Sequence, residues 1–180
     1  MANGDEKTAV VAEREVYLLG EINSSTMRQI GAEVIRLHRE KPKAPISLKL
    51  TSGGGDVEAV IAFCEVVLEK KIPLHVDVYF SADSAAILIL CVGRLRRATS
   101  TSTFLFHEIT KQSGAGVRFT GREFRSHADD LDHTSAVYRT IIARATRKHP
   151  DEIAKMMQEN RRLSAQEAQK FGLIHKIIKL

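Results

Sequence analysis

Three short stretches of this 180-residue chain hold residue types suited to attack on a carbonyl. They are Ser84 ahead of the apolar run Ala85-Ala86-Ile87-Leu88-Ile89-Leu90, the triplet Gly53-Gly54-Gly55, and His107 directly after Phe104-Leu105-Phe106. A serine between a buried strand and the first turn of an apolar helix sits at the positive end of the helix dipole, where developing negative charge is favoured. The N–H of Ala85 would then face an oxyanion. The glycine loop follows a strand of its own, so its amides would lie at the same sheet edge, where sites cluster in open parallel sheets. His107 ends a further strand and would reach that edge as a general base. Each stretch also has a plainer reading: a helix-capping serine, a tight turn, and a structural or solvated histidine. A nucleotide-binding loop is excluded, because no Gly-Lys-Ser/Thr follows the glycines.

The elements that must position these residues can be read from the pattern. Residues 16–19 make a short buried strand ending at Gly20. Ser24 and Ser25 are expected to cap a helix whose apolar positions Met27, Ile30, Val34 and Leu37 recur at helical spacing. The Pro42 and Pro45 pair stops it, and a strand follows at 46–50. A second amphipathic helix carries Val57, Val60, Ile61, Cys64, Val67 and Leu68 on one face. A third strand covers 74–80, an apolar helix 85–92 and another strand 103–106. Strand and helix alternating over short connections predict an α/β fold, a mostly parallel sheet covered by helices.

Residues 111–121 hold three glycines and read as a mobile loop. The longest helix, about 122–148, spaces Phe124, Ala128, Leu131, Ser135, Tyr138, Ile142 and Ala145 alternately four and three apart. At 1.5 Å per residue it is roughly 40 Å long, more than a small domain usually covers, so packing against another subunit is expected, the plainer alternative being a helix covered wholly by its own domain. Pro150 opens a short helix, Ser164 with Glu167 forms a capping box for the next, Gly172 stops it, and 173–178 is a final strand.

Composition narrows the function classes. Hydrophobic residues make up 43% and charged residues 27%, which excludes wholesale disorder and fibrous repeats. The length suits one domain, 14–180, behind a polar arm at 1–13 expected to be flexible. Cys64 and Cys91 lie in apolar surroundings and read as buried reduced thiols, too few for a disulfide scaffold. The longest apolar run is too short to span a membrane, and MANGDEKT has no secretory pattern, so a cytoplasmic protein with no membrane partner is expected. The net charge is +5, but the basic residues are scattered and no aromatics interleave with them, which argues against nucleic acid as the main partner. His127 and His133, six apart on a helix, turn to different faces, so no metal site is expected.

The order Leu19-Gly20-Glu21-Ile22, Ser52-Gly53-Gly54-Gly55, Ser84 before its apolar helix, Phe106-His107, and Leu163-Ser164-Ala165-Gln166-Glu167-Ala168 with Phe171-Gly172-Leu173-Ile174 resembles the proteolytic subunit of the Clp protease over about 14–178. The resemblance implies a crotonase-like superfold with repeated β-α-β units, and a long handle helix interlocking two stacked rings around a closed chamber. It implies a serine peptidase without a cofactor, acting on peptides or unfolded polypeptides. Ser84 falls on the nucleophile, His107 on the general base, Asn160 on the third triad position, and the amides of Gly55 and Ala85 on the oxyanion hole.

The chain departs from that family's pattern at several points. Asn160 stands where aspartate is usual, Ala85-Ala86 where Met-Gly is usual, Asp83 where a small residue is usual, Gly53 where proline is usual and His175 where aspartate is usual. The amide at 160 predicts a slow peptidase. The arm before residue 14 is shorter than the family's axial-pore segment, so weak or absent stimulation by a Clp-type ATPase is expected. Two rival functions follow from the same fold: an inactive ring scaffold that modulates an active paralogue, and an acyl-CoA enzyme.

Overall fold

A computed structural model describes residues 14–110 and 118–179. The polar arm, the glycine-containing part of the long loop (111–117) and Leu180 lie outside the described residues. The chain order is β1 (Glu15–Leu19), α1 (Ser24–Glu40), β2 (Ile46–Ser52), α2 (Val57–Glu69), β3 (Leu74–Ala82), α3 (Ala86–Cys91), β4 (Leu95–Thr99), β5 (Thr103–Leu105), α4 (Gly121–Thr146), α5 (Pro150–Gln158), β6 (Arg162–Ser164), α6 (Ala165–Phe171) and β7 (Lys176–Ile178). The main sheet runs β1-β2-β3-β4-β7 with every pair parallel. A small extension leaves it where β5 pairs with β3 and then, antiparallel, with β6. The mostly parallel α/β architecture expected from the pattern is therefore present.

Strand alternation decides which face is the core. Val16, Leu18, Leu48, Leu50, Val76, Val78 and Ala98 are buried on one side. The other side holds a row of charges in register: Lys49 lies beside Asp77, and Asp77 beside Arg97. Lys49 Nζ reaches both Glu15 and Asp77 at 3.0 Å, and Arg97 grips Asp77 with Nε at 2.6 Å and Nη2 at 2.8 Å.

Two expected boundaries shift for local reasons. Asn23, rather than Ser24 or Ser25, caps α1: its side chain accepts from the N–H groups of Ser25 and Thr26, and Thr26 closes the box by accepting from the Asn23 N–H. The final strand is shorter than 173–178, because Leu173 and Ile174 close the turn after α6 through Ala168 O and only Lys176–Ile178 pair with β4. The capping box of Ser164 with Glu167 and the Gly172 stop, at φ +87°, are as read. Strand β4 was not read from its sequence, since Leu-Arg-Arg-Ala-Thr looks like a basic surface segment. It is a strand because Arg97 pairs with the Asp77 carboxylate and Arg96 spends its guanidinium on main-chain carbonyls.

The long helix begins one residue earlier than expected and ends two earlier, at a left-handed Arg147 (φ +59°). Its two halves differ. Tyr138, Ile142 and Ala143 are buried, whereas Phe124 at the other end is 68% exposed. The seam read from the sequence is thus covered only in its C-terminal half by the protomer itself.

Candidate active site

The glycine loop threads between two backbones. Ile22 N–H donates to Gly54 O, and Asp56 N–H donates to Ile22 O, both at 2.9 Å. Gly55 has φ +141°, and a Cβ there would meet Ile22 O at 1.9 Å; Gly54 has φ +101°, and a Cβ there would meet the Ser84 Cβ at 2.6 Å. Both positions need glycine, for conformation and for space. Ser52 Oγ accepts from Gly54 N–H at 3.0 Å and so holds the loop at the end of β2.

Ser84 approaches from β3. The β2–β3 register shifts between Leu50 and Ser52, and Phe80 sits at φ +70°, so the end of β3 bends away from the regular ladder. Asp83 N–H donates to Ser52 O at 2.9 Å, and Asp83 Oδ1 accepts from Leu105 N–H at 2.8 Å. Ser84 itself has φ +56° and donates its N–H to Leu105 O at 2.9 Å. A serine in the left-handed region at a strand-to-helix turn has the geometry of a nucleophile elbow. Its carbonyl accepts from Ile87 N–H at 3.0 Å and from the buried Tyr138 hydroxyl at 3.0 Å.

Ser84, Ala85, Gly53, Gly55 and His107 line one cleft of about 420 Å³, floored by Tyr138. Among the described residues, neither the Gly55 N–H nor the Ala85 N–H has a backbone acceptor, whereas the N–H groups of Asp56, Ser84 and Ala86 donate to the carbonyls of Ile22, Leu105 and Asp83. Two unspent donors beside a serine hydroxyl are what an oxyanion needs.

The His107 ring lies at the rim. Its Nδ1 is 2.7 Å from Glu108 O, and a carbonyl only accepts, so Nδ1 carries the proton and Nε2 is left with a lone pair. That is the tautomer of a general base. No hydrogen bond joins His107 to Ser84 Oγ, and such bonds commonly tighten only in the substrate complex.

Asn160 is the predicted site residue that the fold does not bring into the cleft. It is exposed, at φ +48°, and its N–H donates to Met157 O at 3.1 Å. Asparagine tolerates this left-handed turn after α5 better than most residues. Phe106 N–H donates to Arg161 O at 2.8 Å, which carries Asn160 to the level of His107, but the ring proton goes to Glu108. The sequence does not announce the part three neighbours play: Asp83, a departure from the family pattern that ties the elbow to β5 and to Arg162 Nη1 at 3.2 Å; Glu108; and Tyr138, whose spacing marks it as a seam residue.

The Clp protease family profile matches residues 2–180. The chain belongs to the Clp protease family. It is 27% identical over 168 residues to the ATP-dependent Clp protease proteolytic subunit 2 of Treponema denticola, covering 92% of this chain and 82% of that protein. With the protein of the same name from Treponema pallidum it shares 28% identity over 167 residues, at the same coverage. Membership of the Clp protease family makes this a protease-class chain, and among the described residues no helix is long and apolar enough to cross a membrane.

Proposed function

We propose that this Clp protease family chain is a slow serine endopeptidase that cleaves peptides or unfolded polypeptides inside a cytoplasmic ring-shaped homo-oligomer, without a cofactor. The observation that carries the reading is Ser84: a strained left-handed elbow that shares a cleft with two unspent amides and a histidine in the basic tautomer. Ser84 Oγ attacks the scissile carbonyl while His107 Nε2 takes its proton. The N–H groups of Gly55 and Ala85 hold the oxyanion, and the imidazolium returns the proton to the leaving amine. Water then releases the acyl group by the same route. Asn160 takes the third position, accepting from Nδ1 when the ring exchanges Glu108 O for the side-chain amide.

The uncovered N-terminal half of α4 supports assembly through this helix, the role the family resemblance gives it. Both relatives are named as ATP-dependent, so a Clp-type ATPase is the partner to add. A fluorophosphonate probe should label wild-type protein and leave Ser84→Ala unlabelled. Absence of labelling in folded, assembled protein would favour the inactive scaffold instead.

A further inference from the structure

At the opposite end of α3 from Ser84 lies a second cleft, of about 590 Å³. Its charge is one-sided. Arg94, Arg96, Arg144 and Arg147 all line it, His175 completes one wall, and among the described residues no Asp or Glu lines it. Arg96 is buried, and its guanidinium meets only carbonyls: Nε donates to Leu173 O at 2.8 Å, and Nη2 to Gly172 O at 2.9 Å and Ala145 O at 3.0 Å. Buried arginine is ordinarily matched by an anion. Among the described residues none of these four arginines has a carboxylate partner.

The C-terminal ends of α3, α4 and α6 converge here and offer a competing explanation, that the arginines merely answer helix dipoles. Each end carries about −0.5 charge at most, so three supply about −1.5 against four guanidiniums. Arg96 alone answers most of it, and a surplus of at least +2 remains on Arg94, Arg144 and Arg147. His175 adds a donor rather than an acceptor. Its Nδ1 accepts from Arg96 N–H at 3.1 Å, which leaves the ring proton on Nε2. Burial, and then Arg96, hold the ring below the ordinary histidine range, in keeping with an unneutralised positive site.

We propose that this cleft binds a small anion carrying two or more phosphoryl charges. Planar guanidinium forks match phosphoryl oxygens two at a time, and several forks converging favour a multiply charged group over a single carboxylate. The volume falls in the range of small-molecule sites, roughly 300–1,000 Å³. Ile141 supplies an apolar wall for an organic part. The site does not depend on the peptidase reading.

The test is calorimetric titration of the full chain with inorganic pyrophosphate and with adenosine diphosphate, at a fixed ionic strength of about 0.15 M. One saturable site per chain is expected, with the diphosphate ester tighter because of the Ile141 wall. Equal affinities would keep the phosphoryl site and assign it to the inorganic anion. Arg144→Gln with Arg147→Gln should weaken binding at least about tenfold, the loss expected when charge-assisted bonds are removed. His175→Asp, which still offers an acceptor to Arg96 N–H, should abolish it. Arg122→Gln with Arg125→Gln, exposed at the other end of α4, should leave affinity unchanged. No saturable binding by folded wild-type protein would overturn the proposal, and so would equal weakening by the Arg122/Arg125 pair. Should His175→Asp fail to fold, the exposed Arg144/Arg147 pair decides alone.

Discussion

The hydroxyl of Tyr138 donates a 3.0 Å hydrogen bond to the main-chain carbonyl of Ser84, joining residues 54 apart in the chain. The tyrosine is wholly buried on α4, and burial pushes its hydroxyl far above the ordinary tyrosine range, so it stays a donor at any working pH. Ser84 at φ +56° costs about 1–2 kcal/mol in local strain. A fixed donor on its carbonyl offsets part of that cost and ties the elbow to the long helix.

Tyr138→Phe keeps the ring and removes the bond. It should cost about 1 kcal/mol, or about 2–4 °C in Tm for a chain of this size. Because Ser84 is the proposed nucleophile, kcat on a short fluorogenic peptide should fall several-fold with KM little changed. A lowered Tm with kcat intact would make the bond purely structural.

The glycine loop gives an internal comparison. Gly53→Ala meets nothing within 4 Å and should be tolerated, whereas Gly54→Ala drives a Cβ into Ser84 from a left-handed backbone. Fluorophosphonate labelling should persist in the first variant and fall by at least about tenfold in the second, a barrier change of about 1.4 kcal/mol. Equal labelling would mean that the loop is free to move away from the elbow.

Assembly should depend on the uncovered half of α4. Leu131 is half-buried in the protomer, ahead of the buried stretch that begins at Tyr138. Leu131→Asp would place a lone charge in the proposed contact, which is costly. Sedimentation velocity should show a smaller particle with the protomer's circular dichroism unchanged; intact double rings would remove Leu131 from the contact.

Much of the site was legible because its signals are local. A serine before an apolar run, three consecutive glycines and a histidine after an apolar strand each declare themselves within ten residues. What stayed hidden depends on partners far away in sequence. Strand β4 could not be recognised without Asp77 to pair Arg97 and the carbonyls that cap Arg96. Tyr138 reads as a packing residue until α4 is docked against α3. Asn23 lost to Ser24 on paper because serine and asparagine cap about equally well, and only the Thr26 reciprocal bond separates them.

The charged row across the sheet predicts how stability responds to acid. Burial pushes the Asp77 carboxyl up, but the bonds from Arg97 and Lys49 outweigh it, and the net shift is below the usual 3.8. A depressed carboxylate contributes stability that is complete above the unfolded value and is lost as pH falls through the folded one. His75 and His175 are also held below 6.5, first by burial and then, respectively, by Arg97 and Arg96. Their share is complete above about pH 6.5 and erodes below it. Tm should therefore be level from pH 8 to about 6.5, decline gently, and drop steeply below about pH 4. Asp77→Asn should lower Tm at pH 7 by about 5–10 °C and blunt the steep phase. An unaltered acid limb would show that the row does not set the acid response.

The sharpest test of the site concerns Asn160. A carboxylate at the third position holds the histidine tautomer and stabilises the imidazolium formed during attack, and its loss in a chymotrypsin-type enzyme costs about 10⁴ in rate. Here Glu108 O already holds the tautomer, so the missing contribution is charge. Asn160→Asp restores that charge on the turn opposite Phe106 and His107, and aspartate also tolerates the left-handed backbone at φ +48°. Asn160 is exposed, so solvent screens much of the gain, and kcat/KM should rise about tenfold rather than by four orders of magnitude. The same variant should also make the pH–rate profile shift, because a carboxylate beside the ring favours its protonated form and moves the acid limb of the profile to higher pH. A faster rate with an unmoved profile would mean that the new charge acts on the substrate and not on His107. A rate within twofold of wild type, with Ser84→Ala still inactive, would leave Glu108 as the only group orienting the ring and take Asn160 out of the mechanism.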